Sequence, residues 1–257
     1  MTQPTPLPPD SKQGERDYYS RIGPEGIKHA LAKPFSDDHC AHYLASMTAL
    51  FSLLPPPPAR LVEFGCGTGW LSLDFARRGY DVLGVDIAED AVRLARAEAT
   101  AYGITKAEFL TADYESFDGG AAFDAAVFHD ALHHAEDELA ALRCAYAALR
   151  VGGCVIVLEP GSGHATAPAA LHAVAEYGVH EKSMPPAHIL RVARQAGFIR
   201  HLVLPQPHQL LRMLYRQRYH QGNSTKDLLG LRILSILRSI QFLLRWRWDP
   251  GLVLLWK

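Results

Sequence analysis

The 257-residue chain lacks the cysteine spacing, the charge and the leader segment that mark several common classes of protein. No C-x-x-C spacing occurs among its four cysteines, Cys40, Cys66, Cys144 and Cys154. The formal net charge of −1 provides no overall positive field of the kind that attracts nucleic acid. The residues before Asp10 lack the basic and apolar regions of a signal peptide. We therefore expect a cytoplasmic protein with reduced thiols.

What the chain does contain is a glycine-rich turn between an apolar run, 61–64, and a helical pattern. Gly65, Gly67 and Gly69 stand at alternate positions, which allows a sharp turn and leaves the backbone open to a bound group. No Lys-Ser/Thr pair follows, and the spacing differs from the G-x-G-x-x-G of dinucleotide-binding turns. A second apolar run ends at Asp86, where a carboxylate can accept both hydroxyls of a ribose. The sequence thus predicts a site for a nucleoside-bearing cofactor.

Four motifs in order resemble those of the class I S-adenosylmethionine (SAM) dependent methyltransferases. They are Glu63 to Gly69, Asp113 at the end of 108–113, His129 to His134, and Leu149 to Cys154, with Val151 where the family usually has proline. The likeness covers roughly residues 59 to 204. It implies an α/β fold, namely a Rossmann-like, seven-stranded, doubly wound sheet in which strand 7 is antiparallel. It also implies SAM as the cofactor.

Ligands in such sheets lie beyond the carboxyl ends of the strands, and the motif residues share that location. By the resemblance, Asp86 faces the ribose and Asp113 lies near the adenine amino group. The predicted cofactor-binding residues are Tyr19, Glu63, Gly65, Cys66, Gly67, Thr68, Gly69, Asp86, Ile87, Asp113, Tyr114 and His129.

The chain divides into a disordered tail (1–14), an N-terminal helical lid with a proline linker (15–58) and the methyltransferase domain (59–257). Within the lid, 36–53 reads as a helix that starts at Ser36 or Asp37 and has an apolar face. That face comprises Tyr43, Leu44, Met47, Leu50 and Phe51. In the resembled family such helices often cover the cofactor; the alternative is simple packing on the sheet. Further predicted helices span 70–78, 89–102, 136–149 and 165–177, with strand 6 at 198–204 and strand 7 at 251–256.

An insertion, 206–249, precedes the last strand and is unusually basic. From Arg212 to Arg247 it has a local net charge of +7, with Asp227 as the single acid. Residues 228–248 read as a helix with the apolar stripe Ile233, Leu237, Ile240, Leu244 and Trp248. Packing on the sheet edge, a homodimer interface and peripheral contact with the inner membrane through 212–248 are the alternatives.

Methylation of a hydroxyl requires removal of its proton, so a general base is expected. The candidates are His133, His134, His164 and His180, with Asp130 and Glu181 as substitutes. A histidine base predicts that activity falls below a pKa near 6–7. No H-x-x-x-H or H-E-x-x-H motif lies near the site, and no metal is expected. Asp130 with His133 or His134 is the alternative partial metal site.

The segments 18–23 and 181–186 are similar to bacterial methyltransferases associated with surface polysaccharide or small-molecule biosynthesis. This likeness favours a sugar hydroxyl on a glycan or glycolipid as the acceptor. The alternatives are O- or N-methylation of a small hydrophobic metabolite, or a non-catalytic SAM-binding partner protein. No DNA partner is expected, because the Asn/Asp-Pro-Pro-aromatic motif of base methylation is absent.

Overall fold

A computed structural model describes residues 12–209 and 251–257, together with residues 233, 234, 236, 237, 240, 241 and 244 of the insertion. Seven strands of this part of the chain form one sheet. They are β1 (Arg60–Phe64), β2 (Asp81–Asp86), β3 (Ala107–Thr111), β4 (Phe123–His129), β5 (Leu149–Leu158), β6 (Arg200–Pro205) and β7 (Gly251–Trp256).

The strand order is β3-β2-β1-β4-β5-β7-β6, and β7 runs antiparallel to both of its neighbours. The chain leaves β1 toward β2 on one side and returns on the other side as β4. This reversal of strand order opens a crevice beside the carboxyl end of β1, where ligands bind in open α/β sheets. The predicted fold class and the antiparallel last strand are confirmed.

In the described part of the chain outside the insertion, three helices precede the first strand, and five more connect strands of the sheet. They are α1 (Gln13–Arg21), α2 (Gly23–Leu31), α3 (Cys40–Leu53), α4 (Trp70–Arg78), α5 (Glu89–Ala101), α6 (Glu138–Ala148), α7 (Pro168–Tyr177) and α8 (Pro186–Ala196). Short 3₁₀ turns occupy Leu132–His134 and His164–Thr166.

Both faces of the sheet are buried, which explains why its central strands read as continuous apolar runs. Successive residues of a strand point to opposite faces. In β1, Val62 and Phe64 therefore join one core cluster and Leu61 joins the other. All three side chains are fully buried.

The lid helices differ from the sequence prediction at their boundaries. α1 begins at Gln13, two residues before the predicted start of the lid. α3 begins at Cys40, so the predicted N-cap at Ser36 or Asp37 is wrong. Asp37 instead accepts a hydrogen bond from the His39 N–H at 2.7 Å, a local turn that competes with helix formation. Leu44, expected on the apolar face of this helix, is largely exposed.

Boundaries also shift inside the domain, because capping side chains and prolines decide where a helix starts. α6 begins at Glu138 rather than 136, since the side chain of Asp137 accepts hydrogen bonds from the N–H groups of Leu139 and Ala140. A 3₁₀ turn replaces the first residues of the predicted 165–177 helix, and α7 starts at Pro168. Strand β6 begins two residues late, at Arg200.

The described part of the insertion is helical, and its apolar residues are exposed. Ile233, Leu237 and Ile240 are 50–57% exposed and Leu244 is 75% exposed. Packing of this stripe against the sheet edge of the same chain is therefore not observed. Trp248 and the basic residues lie outside the described part. Among the described helices, none is long and apolar enough to cross a bilayer.

Candidate active site

The glycine turn after β1 adopts a conformation that side chains disfavour. Gly65 and Gly67 have φ values of 72° and 53°, in the left-handed region. A Cβ on Gly65 would lie 2.5 Å from the Cβ of Ala131, and one on Gly67 would lie 2.5 Å from the hydroxyl of Tyr19. The turn therefore packs against the loop after β4 on one side and against α1 on the other.

Asp86, at the end of β2, anchors this turn. Its Oδ2 accepts a hydrogen bond from the Gly67 N–H at 2.8 Å, and its Oδ1 accepts one from the Ala88 N–H at 2.9 Å. Burial raises the pKa of this carboxyl, whereas the two N–H donors oppose that shift. Each oxygen of a carboxylate retains acceptor capacity, so Asp86 can also receive ribose hydroxyls.

A cavity of about 450 Å³ lies beside the turn, a volume typical of small-molecule sites. Its wall includes seven of the predicted cofactor-binding residues, namely Tyr19, Gly65, Gly67, Asp86, Ile87, Asp113 and Tyr114. A smaller cavity of about 110 Å³ adjoins it and is lined by four more, namely Glu63, Cys66, Thr68 and His129. Gly69 faces the core, because a Cβ there would meet Phe109 at 2.7 Å.

Glu63 lies beneath the turn and accepts a hydrogen bond from the Ser72 hydroxyl. Burial raises its pKa to about 8, so this carboxyl is mostly protonated at neutral pH and supports the turn without adding charge. The hydroxyl of Thr68 donates to the Ala30 carbonyl at 3.0 Å and thereby ties the turn to α2.

Two lysines that the sequence did not single out also line the main cavity. The Nζ of Lys12 lies 2.7 Å from Asp113 and 2.9 Å from Glu115, so it closes the predicted adenine end. Lys33 lies between the two cavities, with its Nζ 3.3 Å from the Tyr43 hydroxyl. Its positive charge is suited to a carboxylate such as that of the methionine part of SAM.

Another part of the cavity wall is formed by histidines and glutamates from four segments. His133, His134 and His164 line the wall together with Glu15 and Glu181. The structure thus brings three of the four predicted base candidates to one place. The fourth, His180, lies behind them, with its Nδ1 3.6 Å from Glu15.

His133 is held by Glu159, the residue that follows β5. The Nδ1 of the imidazole lies 2.6 Å from Oε2 of this carboxylate, and both side chains are buried. Burial lowers the pKa of His133 to about 3, so the ring is neutral. Its Nε2 lies 3.6 Å from Oε2 of Glu181, beyond hydrogen-bonding distance.

The remaining histidines have different partners. The Nδ1 of His134 lies 3.4 Å from Glu15 of α1, and this interaction raises the pKa of His134 to about 9 although burial opposes it. The Nε2 of His164 lies 2.5 Å from Glu181. Glu15 also accepts a hydrogen bond from the His180 N–H at 2.6 Å. The start of α1 therefore contacts the cavity wall through both Glu15 and Lys12.

Ligand atoms of His133, His134 and Glu181 lie within 4.8 Å of one another, the arrangement that a metal ion would need. The Nδ1 of His133 faces Glu159 at 2.6 Å and Glu181 faces His164 at 2.5 Å, whereas the buried Nδ1 of His134 lies 3.4 Å from Glu15 without hydrogen-bonding geometry. A metal ion bound here would replace these contacts.

Glu15 and Glu159 are not among the site residues predicted from the sequence. Glu159 follows a strand of the parallel sheet, the same signal that identified Asp86 and Asp113, so it could have been found. Glu15 carries no such signal, because it lies on a surface-type helix far from the domain in sequence.

Comparison with known proteins agrees with this geometry. Residues 61–153 match the sequence model of a family described as a methyltransferase domain. The ubiquinone biosynthesis O-methyltransferase of Xanthomonas campestris pv. campestris is 32% identical over 146 residues, which cover 54% of each chain. This chain therefore spans about half the length of the curated relatives it matches.

Two solved structures share the fold. The phosphoethanolamine N-methyltransferase 2 of Haemonchus contortus, in complex with SAM, aligns with a TM-score of 0.66 at 17% identity, over 94% of this chain and 59% of its own. A SAM-dependent methyltransferase from Mesorhizobium loti aligns with a TM-score of 0.57 at 22% identity, over 83% of this chain and 98% of its own.

The strand order, the glycine turn after β1 and the acids Asp86 and Asp113 near the ends of β2 and β3 are typical of a Rossmann-like domain of the class I type, which binds a nucleoside cofactor. The match over residues 61–153 supports a SAM-dependent methyltransferase domain in that segment, with SAM as its cofactor.

Proposed function

We propose that this protein transfers the methyl group of SAM to a hydroxyl oxygen of an acceptor bound at the histidine–glutamate end of the cavity. The observation that carries the proposal is that one cavity joins the glycine turn and Asp86 to His133, His164 and Glu181. The curated relatives are named O-methyltransferases, which supports oxygen as the accepting atom.

His133 is the general base of this reaction. A base must be unprotonated and must present a free lone pair to the hydroxyl. His134 has a pKa of about 9 and is charged at neutral pH, and the Nε2 of His164 is engaged by Glu181. His133 is neutral, and its Nδ1 faces Glu159, so its Nε2 is directed away from that carboxylate.

The acceptor hydroxyl approaches the Nε2 of His133 from the cavity and lies beside, not between, this atom and Oε2 of Glu181, which are 3.6 Å apart. Its proton passes to Nε2 as the new O–C bond forms. SAM, when bound, supplies the methyl group, and its sulfur keeps the electron pair of the broken S–C bond. The N-terminal segment covers part of the cavity, where Glu15 contacts His134 and Lys12 pairs with Asp113, and this cover limits the access of water.

The acceptor is a phenol rather than a sugar. The comparisons lend no support to the glycan acceptor expected from the sequence, whereas the relatives belong by name to ubiquinone biosynthesis. The rings of Tyr18 and Tyr43 and the apolar side chain of Val179 line the cavity and suit a flat aromatic group. A phenol ionises near pH 10, so a neutral imidazole can take its proton more readily than that of an alkyl hydroxyl.

The test is transfer of labelled methyl from SAM to three sets of acceptors: polyhydroxylated phenols, glycolipids and primary amines. We expect turnover with phenols, and a loss of about 10²–10⁴ in kcat for His133→Ala with unchanged SAM affinity. Labelled glycolipid or amine alone would contradict the phenol assignment. SAM binding without turnover on any set would favour a non-catalytic SAM-binding partner protein.

A further inference from the structure

We infer that Glu159 is the positioning residue of the reaction: it fixes the tautomer and the orientation of His133 and shapes the loop that carries it. The inference rests on the proposed function, because it concerns the proton-accepting role of His133. Glu159 itself is fully buried and is not among the residues of the cavity wall, so it acts through its neighbour.

The side-chain hydrogen bonds of Glu159 all lead to the loop after β4. Its Oε1 accepts hydrogen bonds from the N–H groups of Ala131 and Leu132 at 3.0 and 2.7 Å. Its Oε2 receives the N–H of His133 at 3.3 Å and faces the Nδ1 of the same residue at 2.6 Å. One carboxylate thus serves three successive backbone donors and the ring.

These donors also determine the state of the ring. Burial raises the pKa of Glu159, and the three N–H donors oppose that shift by stabilising the ionised carboxylate. An ionised carboxylate only accepts hydrogen bonds, so next to it the Nδ1 of His133 carries the proton of the neutral imidazole. The lone pair then lies on Nε2, on the side of Glu181 and the cavity. Asp130, the residue before these donors, has a φ of 50°, a left-handed conformation that the same contacts keep in place.

The isosteric variant Glu159→Gln tests whether Glu159 sets the tautomer of His133 or only packs against it. In Glu159→Gln one oxygen can still accept from the backbone, but the amide NH₂ that replaces the other is a donor. Facing the ring, it favours the lone pair on Nδ1 and the proton on Nε2, which is the wrong tautomer for a base. We expect kcat to fall about 10²–10⁴-fold, on the scale of carboxylate-to-amide changes beside a catalytic imidazole, with little change in KM for SAM.

A double variant shows whether the effect passes through His133. If Glu159 acts on this ring, Glu159→Gln in a His133→Ala background should change kcat by less than about threefold. Losses that multiply in the double variant would overturn the inference. Asp124→Asn is the control: Asp124 also accepts a backbone N–H, that of Arg60 at 2.8 Å, and pairs with Arg150, but it lies at the other end of the strands, so its replacement should leave kcat unchanged.

If the Glu159 variant fails to fold, a measurement on the unaltered protein still tests the inference. NMR of histidine-labelled protein at neutral pH reports which ring nitrogen is protonated. We expect the proton of His133 on Nδ1, and a proton on Nε2 or a doubly protonated ring would overturn the inference. This measurement does not depend on the identity of the acceptor. Absence of turnover would therefore count against the proposed function alone, and the positioning role of Glu159 would be tested by which ring nitrogen of His133 carries the proton.

Discussion

Replacement of Gly65 by alanine tests the close contact between the cofactor turn and the loop that carries His133. The new Cβ would lie 2.5 Å from the Cβ of Ala131, an atom fixed to the backbone that cannot rotate away. The φ of 72° costs alanine about 1–2 kcal/mol, and overpacking adds about 1–3 kcal/mol. The free energy of unfolding should therefore fall by roughly 2–5 kcal/mol.

The matched control is Gly103→Ala. Gly103 has a similar φ of 63°, but nothing lies within 4 Å of the added carbon, so this variant carries the backbone cost alone. Thermal unfolding should show a drop in Tm for Gly65→Ala that exceeds the control by roughly 2–10 °C. SAM affinity, measured by calorimetry, should fall only for Gly65→Ala. Equal Tm values for the two variants would refute the close approach.

Three further predictions concern the site. Asp86→Ala should weaken SAM binding by about 2–4 kcal/mol in calorimetry, because a buried acceptor of two ribose hydroxyls is lost; binding within threefold of the original would contradict this. Because burial lowers the pKa of His133 to about 3, kcat should stay level from pH 8 to about pH 5, and the decline near pH 6–7 expected for an ordinary histidine should be absent. The pKa of His134 is raised from 6.5 to about 9, so its contribution to lid closure is complete below pH 6.5 and is lost as pH rises through about 9. Its partner Glu15 has a lowered pKa, so the contribution of that carboxylate is lost only in acid, below its ordinary value of 4.5. The protection factors of 13–21, that is, the intrinsic exchange rate at each pH divided by the observed rate, should therefore fall between pH 7 and pH 10, and Glu15→Gln should abolish that fall.

Much of the domain could be predicted from local patterns. Strand-turn-helix order and the glycine spacing at Gly65 to Gly69 depend on neighbours in the chain, and the predicted α4 and β7 coincide with the observed ones. Acids at strand ends could be placed as well, because parallel strands end at one edge of the sheet. The first residues of the helices were less predictable. Side-chain hydrogen bonds at Asp37 and Asp137, each to an N–H two or three residues away, decide where α3 and α6 begin.

What the sequence by itself determined is therefore the sheet, its glycine turn and the set of histidines near one edge. Only the tertiary structure decided which histidine can act, because that depends on partners distant in the chain. His133 and His134 are adjacent in sequence, yet burial lowers the pKa of the first, whereas Glu15 of α1 raises that of the second. A pKa reports the full set of charges and the loss of water around a group, and neither can be read from the neighbouring residues of the chain.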